Sequence, residues 1–159
     1  MKTRGPVLLA AAAVLTSCAM FGGGAVRVNE QDELPALRWQ GALSSPQNLS
    51  GAVEMTGSAW MGRDDESGET LASVTITNAA PGGTHPWSVH RGRCGRDQGV
   101  FGSAAQLEPL EIDNDGEADS TGSIGVEMPQ SGEFFVAVYA APTNRDLVVA
   151  CANLAPPIG

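Results

Sequence analysis

The segment 81–90 carries the side chains with the most evident chemistry in this chain. A proline-glycine pair predicts a turn that leads into a strand, where alternate side chains point to opposite faces. Ser88 and His90 would then share one face, with Trp87 and Val89 on the other. Two imidazoles at this spacing can bind one metal ion, but the first position here is a serine. The pattern fits an incomplete metal site or, more simply, a histidine that is hydrogen-bonded or exposed.

Other groups add little to a catalytic site. The chain has two histidines, His85 and His90, whereas a redox copper centre needs several nitrogen ligands. Serines occur without a nucleophile-elbow motif, which leaves a hydrolase triad unsupported. Met55 and Met61 could serve Cu(I), but core positions explain them more simply. We expect no enzyme activity and no cofactor, with copper or zinc at His90 and His85 as a weak alternative.

The acidic charge balance restricts the partners. The chain holds 9 basic and 18 acidic residues, a net charge of −9. Such a surface repels phosphate backbones, so nucleic acid is a poor partner. It also disfavours electrostatic docking to anionic lipid. A basic cluster at Arg91, Arg93 and Arg96 can either receive an anionic ligand or pair with neighbouring acids.

The first 17 residues have the pattern of an export leader. Lys2 and Arg4 precede an apolar run over 7–15 that is too short to span a bilayer. The next residues, Leu15-Thr16-Ser17-Cys18, resemble the lipobox of bacterial lipoproteins, in which the cysteine is acylated and becomes the mature N-terminus. Cleavage there would leave seven arginines and 18 acids, a net charge of −11. The resemblance implies membrane attachment through lipid on Cys18.

These signals divide the chain into a lipoprotein signal peptide (1–17), the lipidated cysteine with a flexible tether (18–35) and one domain (36–159). Ala19 and Met20 follow the cysteine, and no aspartate does. In a Gram-negative host this resembles export to the outer membrane, with the domain facing the periplasm. We therefore expect a lipid-anchored protein of the cell envelope.

The domain has no long helical periodicity, but short β-rich runs separated by turns recur. An Asp-Gly pair at Asp115-Gly116 is one strong turn signal. The spacing predicts an all-β Greek-key sandwich or barrel of about eight strands. The predicted strands cover residues 37–43, 52–61, 70–78, 87–91, 106–112, 118–127, 134–140 and 147–153.

The domain resembles the copper/zinc superoxide dismutase family over roughly residues 52–154. That family has Pro-Gly-x-His-Gly-Phe-His-Val-His followed by a cysteine, and Ala-Cys-Gly in its last strand. The corresponding segments here are Pro81-Gly82-Gly83-Thr84-His85-Pro86-Trp87-Ser88-Val89-His90, with Cys94 beyond it, and Val149-Ala150-Cys151-Ala152. Residues 57–60 and the Asp-Gly turn also have family counterparts. The resemblance implies a disulfide between Cys94 and Cys151. The strand around His90 is similar to chordin-type repeats too.

Departures from the family pattern remove most of the metal site. The family binds copper through four histidines, one of them shared with zinc. Ser88 stands at the first histidine position, His90 matches the second, and Tyr139 stands where another is expected. His85 matches a structural histidine, and the zinc loop has no counterpart.

We therefore expect a non-catalytic, lipid-anchored module that binds an envelope protein or a small ligand, or that has a structural role. A metal-handling protein that binds copper is the alternative.

Overall fold

Residues 38–157 are described by the computed structural model, and most of their backbone is β-strand. The predicted signal peptide, Cys18 and tether lie outside the described residues. No α-helix occurs in the described range, and no helix there is long and apolar enough to cross a membrane. One short 3-10 turn, Gln47–Leu49, follows β1. The strands are β1 Trp39–Ser44, β2 Thr56–Arg63, β3 Glu69–Asn78, β4 Thr84–His85, β5 Trp87–Arg93, β6 Arg96–Val100, β7 Leu110–Glu111, β8 Ala118–Glu127, β9 Phe134–Ala141 and β10 Asn144–Leu154.

Eight of the strands form one curled antiparallel sheet in the order β6-β5-β9-β10-β1-β2-β3-β8, while β4 pairs with β7. The two ends of the sheet meet just beyond β6. There the Ser103 N–H donates to the Ile124 carbonyl of β8 at 2.8 Å. Gly102 has a φ of +77°, and a side chain on it would collide with the same carbonyl. Glycine therefore lets the sheet curl onto itself at this corner.

The concave face of the sheet encloses one main hydrophobic core. Side chains alternate in and out along each strand, so that Val74 and Ile76 of β3 and Val136 and Val138 of β9 point inward. All four are buried. Burying each such side chain stabilises the fold by about 1.5–3 kcal/mol. The predicted all-β, sandwich-like fold is confirmed.

Two of the predicted strands differ from those observed. Of the predicted strand 106–112, only Leu110–Glu111 is a β-strand. Pro109 has no N–H and so cannot donate a backbone hydrogen bond to a neighbouring strand. The preceding Glu108 carbonyl instead accepts from the Trp87 indole at 2.9 Å and the Ser120 hydroxyl at 2.7 Å. Similarly, β2 begins at Thr56 rather than at residue 52, because the Ala52 N–H closes a turn with the Leu49 carbonyl.

The strand β6 was not predicted. Its sequence, Arg96-Asp97-Gln98-Gly99-Val100, is mostly polar and every residue is exposed, without an apolar alternation. Its pairing with β5 depends on the hairpin turn at Gly95, where φ is +78°. The Asp115-Gly116 turn is present, and the Asp113 carboxylate accepts from the Asp115 and Glu117 N–H groups, both at 2.9 Å. The strands on either side of it pair with different partners, β7 with β4 and β8 with β3.

Candidate functional site

The candidate site lies on the outer face of β5 and β9, opposite the main core. Ser88 and His90 share this face, while Trp87 and Val89 point into the core, as the alternation predicted. In the ladder Ser88 pairs with Ala137 of β9 and His90 pairs with Phe135. Phe135, Ala137 and Tyr139 form a second, smaller hydrophobic cluster on this side.

Four side chains form a closed hydrogen-bonded group at this site. His90 Nε2 lies 2.8 Å from Ser88 Oγ and 2.7 Å from the Tyr139 hydroxyl, and these two oxygens are 3.0 Å apart. On the other side of the ring, His90 Nδ1 lies 2.9 Å from Asp97 Oδ1. We call Ser88, His90, Asp97 and Tyr139 the His90 tetrad.

The chemistry of the groups fixes how the hydrogen bonds run. A carboxylate only accepts, so His90 Nδ1–H donates to Asp97. Nε2 of a neutral ring then accepts from one of the two hydroxyls, and the other hydroxyl donates to the first. Both ring nitrogens are thus engaged, as expected for a polar side chain that is 4 % exposed.

Asp97 anchors the tetrad from the exposed strand β6. Burial on its own would raise the pKa of this carboxyl group. Hydrogen bonds from the Gly99 N–H and from His90, together with Coulombic attraction when the His90 ring is protonated, outweigh burial and lower the pKa below its ordinary value of 3.8. The Gly99 N–H donates to Asp97 Oδ1 at 2.7 Å. Asp97 is therefore an ionised acceptor that orients the imidazole.

The order Ser88–His90–Asp97 reproduces the hydrogen-bond chain of a hydrolase triad, which the sequence did not indicate. A nucleophilic serine must reach its substrate, however, and Ser88 is only 3 % exposed. Its oxygen also contacts Tyr139, which competes for the same histidine nitrogen. The arrangement therefore resembles a buried structural network more than a nucleophile with its base.

The donor set does not fit a copper or zinc centre. One imidazole is present, and both of its nitrogens are already in hydrogen bonds. The groups beside Nε2 are two hydroxyls, and the group beside Nδ1 is the Asp97 carboxylate, all of them oxygen ligands that suit Cu(I) poorly. Within residues 38–157 no group of three or more His, Cys, Asp or Glu side chains is placed to hold a metal.

The second histidine lies apart from the tetrad. His85 Nδ1 is 2.9 Å from the backbone carbonyl of Tyr139, and must donate to it because a carbonyl only accepts. On the other side of the ring, Gly83 packs so closely against Nε2 that any side chain there would collide with it. His85 thus ties β4 to β9. Met55 and Met61 are buried in the main core, as their apolar character predicted.

The Cys94–Cys151 disulfide lies beside the tetrad, with a Cα–Cα distance of 6.1 Å. Both cysteines pack against the second cluster. The Cys94 N–H also donates to Asn153 Oδ1 at 2.8 Å. The hairpin between β5 and β6, which carries Asp97, is therefore tied to the last strand β10 by one covalent bond and one hydrogen bond.

The basic cluster is divided among separate contacts. Arg93 forms an ion pair with Glu133 at 3.0 Å, and Arg91 lies over the Phe101 ring at 4.9 Å. Of the two alternatives predicted for this cluster, an anionic ligand or pairing with neighbouring acids, the structure shows the second at Arg93.

Sequence reasoning identified three tetrad members, Ser88, His90 and Tyr139, but missed Asp97. The available signal was weak, because an aspartate seven residues after His90 reaches it only if the chain reverses between them. Gly95 provides that reversal. Comparison with protein-family models, curated proteins and solved structures finds no match to this chain.

Proposed function

We propose that this chain is a lipid-anchored protein of the bacterial cell envelope, whose superoxide-dismutase-like β-domain is non-catalytic. The domain would bind an envelope protein or a small ligand, or have a structural role. The non-catalytic part of this proposal rests on one observation: both His90 nitrogens are hydrogen-bonded within the tetrad. The side chains around His90 satisfy one another and leave no open position for a metal.

The strand order supports the Greek-key part of the proposal. A Greek key places the fourth of four successive antiparallel strands beside the first. In the main sheet, from which β7 is absent, β5, β6, β8 and β9 are successive strands. β6 pairs with β5, and the segment just beyond β6 meets β8 through the Ser103–Ile124 hydrogen bond. The next strand, β9, then returns to pair with β5. Copper/zinc superoxide dismutases share the sandwich architecture that such connections build.

The positions of the metal-ligand counterparts give independent support. The resemblance assigned Ser88, His90 and Tyr139 to copper-histidine positions from sequence order alone. Ser88 and His90 lie on β5 and Tyr139 lies on β9, up to 51 positions away, yet their polar atoms lie within 3.0 Å of each other. This closeness is expected if an ancestral metal site lost its ligands and the residues now at those positions bind one another through hydrogen bonds.

The lipid anchor is supported by the leader and by the described fold. The charged n-region, the short apolar run and Cys18 form a consistent export signal. Of the three cysteines in the sequence, Cys94 and Cys151 are joined to each other, and Cys18 is the third. A disulfide fits an oxidising, extracytoplasmic compartment.

A metal titration separates the non-catalytic module from the copper-binding alternative. The purified mature chain is titrated with Cu(II), Cu(I) and Zn(II) beside His90→Ala and His85→Ala variants, and superoxide turnover is assayed in parallel. We expect no turnover and the same weak binding in all three proteins. One tightly bound equivalent that disappears in His90→Ala but persists in His85→Ala would overturn the proposal and establish metal handling.

A further inference from the structure

A cavity of about 480 Å³ lies on the side of the sheet formed by β1 and β2, apart from the His90 tetrad. Its wall includes Arg38 and Pro157, the first and last residues that the structure describes. Its size is within the usual range of small-ligand sites. We call it the Trp60 cavity, and the ligand inferred for it rests on the binding role proposed above.

An indole forms the flat wall of the Trp60 cavity. The other two tryptophans, Trp39 and Trp87, are each 2 % exposed in the main core, whereas Trp60 is half-buried and faces outward. The Arg38 guanidinium lies 3.9 Å from the centre of the Trp60 ring. Gly62 makes this stacking fit, because a side chain there would come within 3.1 Å of Arg38 Cγ. Trp60 also lines a shallower groove beside Gln40 and Ser58.

Planar polar groups of both charges surround the indole. Arg38 and Arg63 contribute donors, Asp65 and Glu127 contribute acceptors, and Gln130 contributes both. Their charges cancel, in a chain whose net charge is −9. In the described part of the chain, the ion pairs within 4.0 Å are His90–Asp97 and Arg93–Glu133. The donors and acceptors of the Trp60 cavity are therefore not consumed by contact with each other.

The β2–β3 turn holds part of this wall in place. Asp64 Oδ1 accepts from the N–H groups of Glu66 at 2.8 Å and Ser67 at 3.3 Å. The Asp64 and Gly68 N–H groups close the turn with further bonds of 2.8 Å. A Cβ atom on residue 68 would lie 3.3 Å from Arg63 Nη2. Because Gly68 has no Cβ, the guanidinium has room beside the turn. Asp65 and Arg63 are thus set on a preorganised loop.

These features fit one class of ligand. A sugar ring has an apolar C–H face that packs on an exposed indole surface, which here is the part of the Trp60 ring that Arg38 leaves uncovered, and hydroxyls that donate and accept at its edge. Arginine, carboxylate and amide groups pair with neighbouring hydroxyls through two bonds at once. A charged ligand would meet like charges, since both signs line the wall. We propose that the Trp60 cavity binds an uncharged pyranose saccharide.

Calorimetric titration of the purified mature chain tests the saccharide site, in a detergent without a sugar headgroup. The probes are N-acetylglucosamine, its uncharged tetramer, maltotetraose and the acidic oligomer tetragalacturonate. We expect saturable binding of at least one uncharged tetramer. Tighter binding of a tetramer than of its monomer indicates a polymer as the source, and equal binding indicates a free sugar. No saturable binding of any uncharged probe, or binding of the acidic oligomer alone, would overturn the proposal.

Variants assign the binding to the cavity. Trp60→Ala and Gln130→Ala should each weaken binding, the former by about tenfold or more, while Trp60→Phe retains most of it. Arg96→Gln, an exposed site on β6, is the matched control and should bind as wild type does. Binding that is unaffected by Trp60→Ala and Gln130→Ala in folded protein would overturn the assignment. These results are independent of the copper titration, so failure here leaves the non-catalytic reading of the His90 tetrad standing.

Discussion

His90 shows how a buried polar residue is accommodated in the part of the sheet, β5 and β9, whose two faces are largely buried. Leaving one buried donor or acceptor unpaired costs about 1–3 kcal/mol. The tetrad avoids this cost because Ser88, Tyr139 and Asp97 together satisfy both ring nitrogens. Thr70 provides the contrast, since its hydroxyl is the one buried side-chain polar atom without a partner among the described residues. The tetrad is therefore a stabilising structural unit in its own right.

The lowered pKa of Asp97 makes part of this stabilisation dependent on pH. A carboxyl group with a lowered folded-state pKa stabilises the fold fully above its ordinary value of 3.8, and this contribution is lost as pH falls through the lowered pKa. Because the Asp97 side chain is 53 % exposed, solvent screening limits the effect. We expect Asp97→Asn to reduce the free energy of unfolding at pH 7 by about 1 kcal/mol or less.

Urea unfolding of wild type and Asp97→Asn across pH 2–7 measures this effect. The difference should shrink towards zero below the ordinary value of 3.8. Asp146→Asn, an exposed acid on β10, is the control and should change little. A difference between wild type and Asp97→Asn that stays constant through the acidic range would show that Asp97 acts other than through its charge.

At the scale of the element, the sequence predicts strands well where apolar alternation is strong. Strands β3, β8 and β9 lie close to their predicted limits. In β3, Val74 and Ile76 alternate with polar residues, β8 begins just after the Asp115-Gly116 turn, and β9 is a continuous apolar run. Strand β6 could not be predicted, since its side chains are exposed and its pairing depends on the backbone conformation of Gly95. Asp97 lies on that strand, so the missing element and the missing site residue have the same cause. Local pattern identifies buried faces, but contacts made across a polar hairpin depend on the turn.

The disulfide connects elements that lie far apart in the sequence. It joins residues separated by 57 positions and fixes the β5–β6 hairpin to β10. A link that closes a loop of this length typically stabilises a protein by about 2–4 kcal/mol. We expect Cys94→Ser combined with Cys151→Ser to lower the urea midpoint accordingly. Reductant should lower the wild-type midpoint to the same value and leave that of the double variant unchanged. A wild-type midpoint that does not respond to reductant under unfolding conditions would contradict this role.

For the whole molecule, charge determines how it can remain at a membrane. In the proposed lipoprotein, a mature chain beginning at Cys18 would have a net charge of −11, with seven arginines against 18 acids. Anionic lipid headgroups would repel such a surface, so electrostatic docking does not hold it there. Hydrophobic attachment remains, and each methylene of an acyl chain buried in the bilayer contributes about 0.8 kcal/mol. More than one chain on Cys18 would provide stable anchoring.

Substitution of Cys18 tests the anchor directly. We expect the wild-type protein to sediment with membranes, to resist a high-salt wash and to dissolve in detergent, because its attachment is hydrophobic. Cys18→Ser should lose incorporation of radiolabelled palmitate and move to the soluble fraction. The Cys94→Ser/Cys151→Ser double variant should stay with the membranes, which separates loss of the lipid from loss of fold stability. A Cys18→Ser protein that still sediments and resists salt would show that another segment of the chain holds it at the membrane.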